Sequence, residues 1–244
     1  MKYKRMLLKL SGSGLSGEKG FGFDEEAINH ITKEIIKARN IGVEIAIMVG
    51  GGNIFRGKTA QQWNLDRVEA DNIGMMAIVV NSLLLRGVLS SQSTNEVRVM
   101  SAIPMDSICE PYIRLRAINH LKKGYIVIFA GEIGQTFLTT DYPSVQRAIE
   151  INADVVLMAK NGASGVYDKD PNIYIDAKRY KAISYEEAID KNLEIIDQAG
   201  FILARDFNLS LHIFDFRAEN CIKDICEGKG AGTYISHNIP VEWY

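Results

Sequence analysis

Short runs of consecutive apolar residues alternate along the chain with stretches in which apolar positions recur every three or four residues, and this rhythm predicts a fold before any chemistry is considered. Arg5 to Leu10, Ile45 to Val49, Val97 to Ser101, Tyr125 to Ala130, Asp154 to Ala159 and Ser210 to Phe216 form the runs. They are too short for globular helices and unbroken enough for strands buried on both faces of a parallel sheet. Between them, Ile28, Ile31, Ile35 and Ala38 mark one helical face, with Asp24 placed to cap it and Gly42 just past its end. A longer helical pattern runs from Asp66 to about Ser91, where Met75, Met76, Val79, Val80, Leu83 and Leu84 recur at helical spacing. Tyr112 to Lys122, Pro143 to Ile151, Tyr185 to Lys191, Gln198 to Asn208 and a last segment ending near Cys226 read as further helices. Ala231 to Ser236 is read as an edge strand and 237–244 as a C-terminal tail. Strands alternating with helices predict an α/β fold, a three-layer α/β/α sandwich around a mostly parallel sheet, in one domain over 1–236.

Composition narrows the classes. Lys plus Arg total 28 against 30 Asp plus Glu, a net charge of -2, and no strongly basic stretch stands out, which argues against nucleic acid as a partner. Cys109, Cys221 and Cys226 are odd in number and lack metal-ligand spacing, so they suit reduced thiols better than disulfides or a zinc site. The basic start is interrupted by Lys9 and ends at Gly12 without a cleavage-type segment, and no uninterrupted apolar run approaches the roughly 20 residues of a bilayer span. The expectation is a soluble, cytoplasmic protein that does not engage a membrane.

Chemistry collects at the strand ends. Ile45 to Val49 runs into Gly50-Gly51-Gly52, and glycines at the carboxyl end of a parallel strand let the backbone approach a ligand where open α/β sheets bind them. Arg56 follows, a planar fork suited to phosphate. Two nucleotide motifs also occur. Gly12-Ser-Gly14-Leu-Ser-Gly17 matches the dinucleotide pattern, but no helix begins at its third glycine and no ribose-binding acid ends the next strand. Gly52-Asn-Ile-Phe-Arg-Gly57-Lys58-Thr59 matches a phosphate loop, with Asp215 as the magnesium-holding acid. That alternative, an NTPase using Lys58 and Asp215, leaves unexplained why two other strands end in glycine-rich loops.

Lys9-Leu-Ser-Gly12, Gly50-Gly-Gly-Asn-Ile-Phe-Arg-Gly57, Ala70-Asp-Asn-Ile-Gly-Met-Met76, Thr139-Thr-Asp141, Lys160-Asn-Gly162, Gly165-Val-Tyr-Asp-Lys-Asp-Pro171 and Leu203-Ala-Arg-Asp206 together resemble the bacterial uridylate kinases, of the amino acid kinase superfamily. The resemblance runs from about Lys4 to Ser236. It implies phosphorylation of UMP to UDP by ATP with Mg²⁺, in a homohexamer that GTP activates and UTP inhibits. By match, Lys9, Leu10, Ser11, Gly12, Gly52, Arg56, Asn161, Tyr167 and Asp170 hold ATP. Gly51, Asp71 and the loop Ile133, Gly134, Gln135, Thr136, Phe137, Leu138, Thr139 and Thr140 hold UMP. Gly17, Glu18, Lys19, Gly20, Phe21 and Gly22 sit where the family places its GTP-linked segment. No residue is assigned as a protein ligand to a metal.

The chemistry needs little beyond this. A nucleoside monophosphate is largely ionised at neutral pH, so its oxygen requires positioning and charge neutralisation rather than a general base. Lys9, Arg56 and Lys160 are the candidate cations, and Asp141 and Asp197 the candidate acids that orient lysines or meet a metal; each acid also suits an ordinary helix cap. Some working loops depart from the family pattern. Ser13-Gly14 replaces Glu-Ala, Glu132-Ile133-Gly134-Gln135-Thr136-Phe137 replaces Gly-Thr-Gly-Asn-Pro-Phe, and Ala163-Ser164 replaces Val-Asp. Glu132 brings a carboxylate close to the expected phosphate position, unless it turns outward to solvent or binds a metal that reverses its sign. A weakened kinase and a non-catalytic nucleotide-binding relative of the same fold both follow from these departures.

Overall fold

The computed structural model describes residues 1–244 apart from Asn161, Ala163 and the side chain of Lys58. Its ten strands, β1 (Arg5–Leu10), β2 (Glu44–Val49), β3 (Val97–Ser101), β4 (Glu110–Pro111), β5 (Ile126–Ala130), β6 (Val155–Lys160), β7 (Tyr180–Ser184), β8 (Ser210–Asp215), β9 (Thr233–Ser236) and β10 (Glu242–Trp243), form one sheet. Its order is β10-β7-β9-β8-β6-β1-β2-β5-β3-β4. From β8 to β4 every pairing is parallel. Antiparallel pairings enter at β8 with β9 and at β7 with β10.

Alternation within each strand divides the core. Met6, Leu8 and Leu10 of β1 join one apolar cluster, while Leu7 joins the other. The first cluster is covered by α1 (Glu25–Asn40), α3 (Arg67–Gln92) and α8 (Cys221–Glu227), and the second by α4 (Arg114–Lys122), α5 (Asp141–Glu150), α6 (Tyr185–Asp190) and α7 (Gln198–Asp206). Each fully buried leucine or isoleucine contributes about 1.5–3 kcal/mol by leaving water, so covering both faces stabilises the three layers. Asp24 caps α1 by accepting from Ala27 N at 3.0 Å, and Asp66 caps α3 from Val68 N at 2.8 Å.

Several features differ from the sequence expectation. A short α2 (Gly57–Gln62) follows Arg56, and Gly12–Lys19 coils into 3-10 turns broken at Gly17 (φ 55°). β7 arises in a polar region without an apolar run. β9 is interior, between β7 and β8. Residues 237–244, read as a tail, return to the sheet as β10, where Trp243 stacks on Tyr180 with ring centroids 4.0 Å apart and Arg179 lies 3.8 Å over the Tyr244 ring. β7, β9 and β10 take their places from pairing in the assembled sheet rather than from apolar runs of their own.

The topology also sets where a ligand fits. β1 lies between β2, which follows it in the chain, and β6, which the chain reaches only after β5, so the strand order reverses beside β1 and a crevice opens at the carboxyl ends of these strands. Lys9, the triple glycine and Lys160 all stand at that end.

Candidate functional site

Lys9 sits one residue from the end of β1, on the face covered by α5, and reaches Asp141 in the first turn of α5 at 2.5 Å. Both side chains are largely buried. Burial alone would push the Asp141 carboxyl up; the Lys9 ammonium, with Lys160 behind it, outweighs burial and holds it below its ordinary value. Lys160 ends β6 and donates to Ile195 O at 3.1 Å. Burial and the neighbouring Lys9 charge lower its pKa, with Asp141 opposing. The fold therefore brings Lys9, Lys160 and Asp141 into one electrostatic cluster: two cations share one fixed anion and leave net positive charge beside the glycine loop.

Asp197 performs the duty of a cap and more. Its carboxylate accepts from Gly200 N at 2.6 Å, from Tyr142 N at 3.0 Å and from the Thr139 hydroxyl, and its own amide donates to Asp141 Oδ2 at 3.4 Å. It ties the start of α7 to the start of α5, and so steadies Asp141.

The glycine loop is fixed by close approach. A Cβ on Gly12 would lie 2.6 Å from Gly50 O and Gly52 N, and one on Gly51 would lie 2.8 Å from Gly74 O on α3. Only glycine lets these segments touch. Arg56 is exposed and turned back on the protein, donating to Gly52 O at 2.6 Å and to Gly20 O at 3.0 Å. Its fork thereby joins the loop after β2 to the Gly17–Gly22 segment.

Beside this loop lies a cleft of about 490 Å³ between α3 and residues 132–140. Gly51, Gly52, Asp71, Gln135, Leu138, Thr139 and Thr140 line it, together with Arg67, Ile78 and Glu132. Ile133, Gly134, Thr136 and Phe137 do not. Phe137 is 66% exposed, and its amide donates to Asp71 Oδ2 at 2.6 Å, while Arg67 holds the same carboxylate at 2.8 and 2.9 Å.

Glu132 does not turn outward. It is 7% exposed, lines the cleft and accepts from the Thr140 hydroxyl at 3.0 Å, and its carbonyl accepts from Arg147 at 3.3 Å. Its φ of 52° is a left-handed value that a glycine adopts without strain. Burial pushes its carboxyl up to about 7, with Asp71 adding to the rise and Thr140 and Lys9 opposing it.

A second cleft, of about 640 Å³, opens on the other side of Lys160 and holds Tyr167, Asp170, Leu193, Ile195 and Ile213. Asn161, expected between these groups, lies outside the described residues. Leu10 and Ser11 face neither cleft; they line a third cavity under α1, and Ser11 Oγ meets Ser13 Oγ at 2.7 Å. Glu18 and Gly17 also border that cavity.

The phosphate-loop alternative loses its geometry. β8, which carries Asp215, is separated from β2 by β6 and β1, a span of about 14 Å across three strand spacings. Asp215 is also engaged by Arg217 at 2.7 Å. Lys58 stands in α2, and its side chain lies outside the described residues.

Sequence reading missed two asparagines. Asn53 and Asn81 are fully buried and bonded to each other. The signal was available: Asn81 is a polar residue inside the apolar stretch Val79-Val80-Asn81-Ser82-Leu83-Leu84, and a polar group buried there must find a partner.

A cation-rich strand-end crevice with glycine backbone at its floor and two flanking clefts defines an enzyme class that handles phosphate esters. The amino acid kinase family model matches residues 4–215. Uridylate kinase of Frankia alni is 53% identical over 234 residues, covering 96% of this chain and 91% of that protein. Uridylate kinase of Rickettsia bellii is 46% identical, over 96% and 98%. Among solved structures, UMP kinase from Bacillus anthracis superposes with a TM-score of 0.97 at 48% identity over 100% of both chains, and UMP kinase from Ureaplasma parvum with 0.91 at 33%, over 97% and 100%. The chain belongs to the amino acid kinase family, in its uridylate kinase branch.

Proposed function

We propose that this protein phosphorylates UMP to UDP with ATP. The observation that carries the reading is the Lys9–Asp141–Lys160 cluster set between two clefts at the carboxyl ends of β1 and β6. The cleft against α3 takes UMP, and the cleft holding Tyr167 and Asp170 takes ATP. An oxygen of the UMP phosphate attacks the γ-phosphorus in line; the bond from that phosphorus to the bridging oxygen breaks, and ADP leaves. Lys9 and Lys160 meet the charge on the transferring group, and Asp141 keeps Lys9 aimed. A divalent ion such as Mg²⁺, which ATP-dependent phosphoryl transfer implies, would arrive with ATP and supply charge neutralisation on its phosphates beside Lys9 and Lys160.

A homohexamer, GTP activation, UTP inhibition and a cytoplasmic location belong to the same reading. α3 supports self-association: it is long and apolar enough to cross a bilayer by composition, with a mean hydropathy of 1.8, yet 44% of that window is buried against the sheet. Ile73, Met76 and Val80 remain exposed on it, an apolar face suited to a second copy. Light scattering should find an oligomer at micromolar concentration, and a stable monomer would refute the packing.

A coupled assay of UDP formation with ATP and Mg²⁺, run across UMP, CMP, dTMP and AMP, tests the function. Turnover with UMP well above the others is expected. Nucleotide binding without turnover would instead mark a non-catalytic relative.

A further inference from the structure

The loop Gly50–Asn53 lines the cleft proposed for UMP, yet little in its own sequence fixes its shape. Two carboxamides do so from behind. Asn81, on α3, donates to Gly50 O at 2.7 Å and to Asn53 Oδ1 at 2.7 Å. Asn53 donates in turn to Asn81 Oδ1 at 3.2 Å and to Gly22 O at 2.9 Å, while its carbonyl accepts from Gly22 N at 2.8 Å. Both side chains are fully buried, so water cannot substitute for a lost partner. Every amide hydrogen of the two groups is used, and the orientation of each is forced: flipping Asn81 would set its oxygen against Gly50 O. Asn53 Oδ1 also stands 2.8 Å from where a Cβ on Gly12 would lie, so the pair adjoins the loops after both β1 and β2.

We propose that Asn81 is a positioning residue for phosphoryl transfer: from α3 it fixes the carbonyl of Gly50 and, through Asn53, holds the glycine loop and the Gly17–Gly22 segment in one register. The proposal rests on the kinase reading. It assigns to an apolar helix a direct mechanical hold on the catalytic loop, with no substrate contact of its own.

The test compares Asn81→Ala, Asn81→Asp and Ser82→Ala by kcat and KM, at a temperature where circular dichroism shows each folded. Ser82 is an adjacent buried control whose hydroxyl, among the described residues, bonds only Ile78 O within α3, at 2.8 Å. Asn81→Ala should lower kcat roughly tenfold or more, as a displaced loop does, and Ser82→Ala should stay within about twofold. Asn81→Asp retains the acceptor for Asn53 but donates only when protonated. Its kcat relative to wild type should rise as pH falls from about 8 to about 6, a recovery that a purely structural role would not give. A kcat within about twofold of wild type at about pH 8 in either folded Asn81 variant, or an Asn81→Asp ratio independent of pH, overturns the proposal. A wild-type protein that makes no UDP would defeat the kinase reading itself, whereas active, indifferent variants defeat only the role of Asn81.

Discussion

The two clefts flanking Lys9 and Lys160 are built in opposite ways. The cleft against α3 is held by contacts between distant parts of the chain: Asp71 to the Phe137 amide, Glu132 to Thr140, Asn81 to Gly50. The cleft around Tyr167 and Asp170 is bordered on one side by the exposed Asp170, Pro171 and Asn172, in a segment whose bonds are local: Asp170 Oδ1 to Asn172 N at 2.8 Å, Asp168 Oδ1 to Lys178 N at 2.8 Å and Lys169 to Asp176 at 2.6 Å. Bonds between distant segments are made only when the whole fold is made, so the first cleft is shaped before a substrate arrives. The second takes its shape from a surface loop that opens at little cost. Substitutions in the first should therefore change the chemistry or the fold, and substitutions in the second should change little but nucleotide affinity.

The largest effect is expected where the clefts meet. Lys9→Met removes the cation that Asp141 aims, and kcat should fall roughly a hundredfold or more, as for loss of one well-placed electrostatic stabiliser. Lys58→Met should leave kcat nearly unchanged. Steady-state kinetics of the two variants decide, and the reverse ranking would restore the phosphate loop.

What the sequence made legible follows the same division. The six apolar runs fell on β1, β2, β3, β5, β6 and β8, because a strand buried on both faces must be apolar throughout. Lys9, Gly51, Gly52 and Asp71 were readable because they stand at strand ends or on a helix within recognisable motifs. Asn81 was readable only as a buried polar group in need of a partner, since the partner itself, Gly50, meets it only when α3 lies against the loop, 31 residues away in sequence. β7, β9 as an interior strand and β10 were hidden likewise: their pairing is a property of the assembled sheet. The orientation of Glu132 was also beyond the sequence, which shows a carboxylate replacing a glycine but not the Thr140 hydroxyl that turns it inward.

Glu132 gives the next largest effect and tests the first cleft alone. With its folded pKa raised from 4.5 to about 7, the folded state holds a proton that the unfolded state releases, so stability is greatest below about 4.5 and declines as pH rises toward 7. Glu132→Gln removes the titration, so between pH 5 and 8 the wild type should lose roughly 2–3 kcal/mol more stability than the variant, measured by denaturant unfolding. Binding sharpens the point. At roughly 6 Å an ionised Glu132 repels a phosphate dianion by about 1.4 kcal/mol even in a water-like dielectric. Glu132→Gly should lower the UMP dissociation constant about tenfold at pH 8, with the gain shrinking toward pH 6, where the wild-type carboxyl is protonated. Protonation of UMP near pH 6 also lowers the charge that Glu132 repels, so the comparison is read mainly between about pH 7 and 8, where UMP is mostly a dianion. Equal constants at pH 8 in calorimetry would mean that the phosphate sits out of reach of Glu132.

The smallest effect belongs to the second cleft. Lys169 and Asp176 pair at 2.6 Å, the hydrogen bond raising the lysine pKa and lowering that of the carboxyl, but both groups stand in solvent. In water such a pair gains little Coulomb energy, loses side-chain freedom and is screened by salt within about 10 Å at 0.1 M. The carboxyl's lowered pKa places its contribution above the ordinary carboxylate range, to be lost as pH falls, and exposure makes that contribution small. Asp176→Asn should accordingly leave Tm unchanged and kcat untouched. Only the KM for ATP should move, by less than about twofold, and 0.5 M salt, at which the Debye length is only about 4 Å, should erase even that shift. A Tm drop comparable to that of Asp71→Ala, which breaks the bond to the Phe137 amide, would show that residues 168–178 are as firmly preset as the first cleft. The contrast between a cleft shaped by the fold and one shaped by its ligand would then fail.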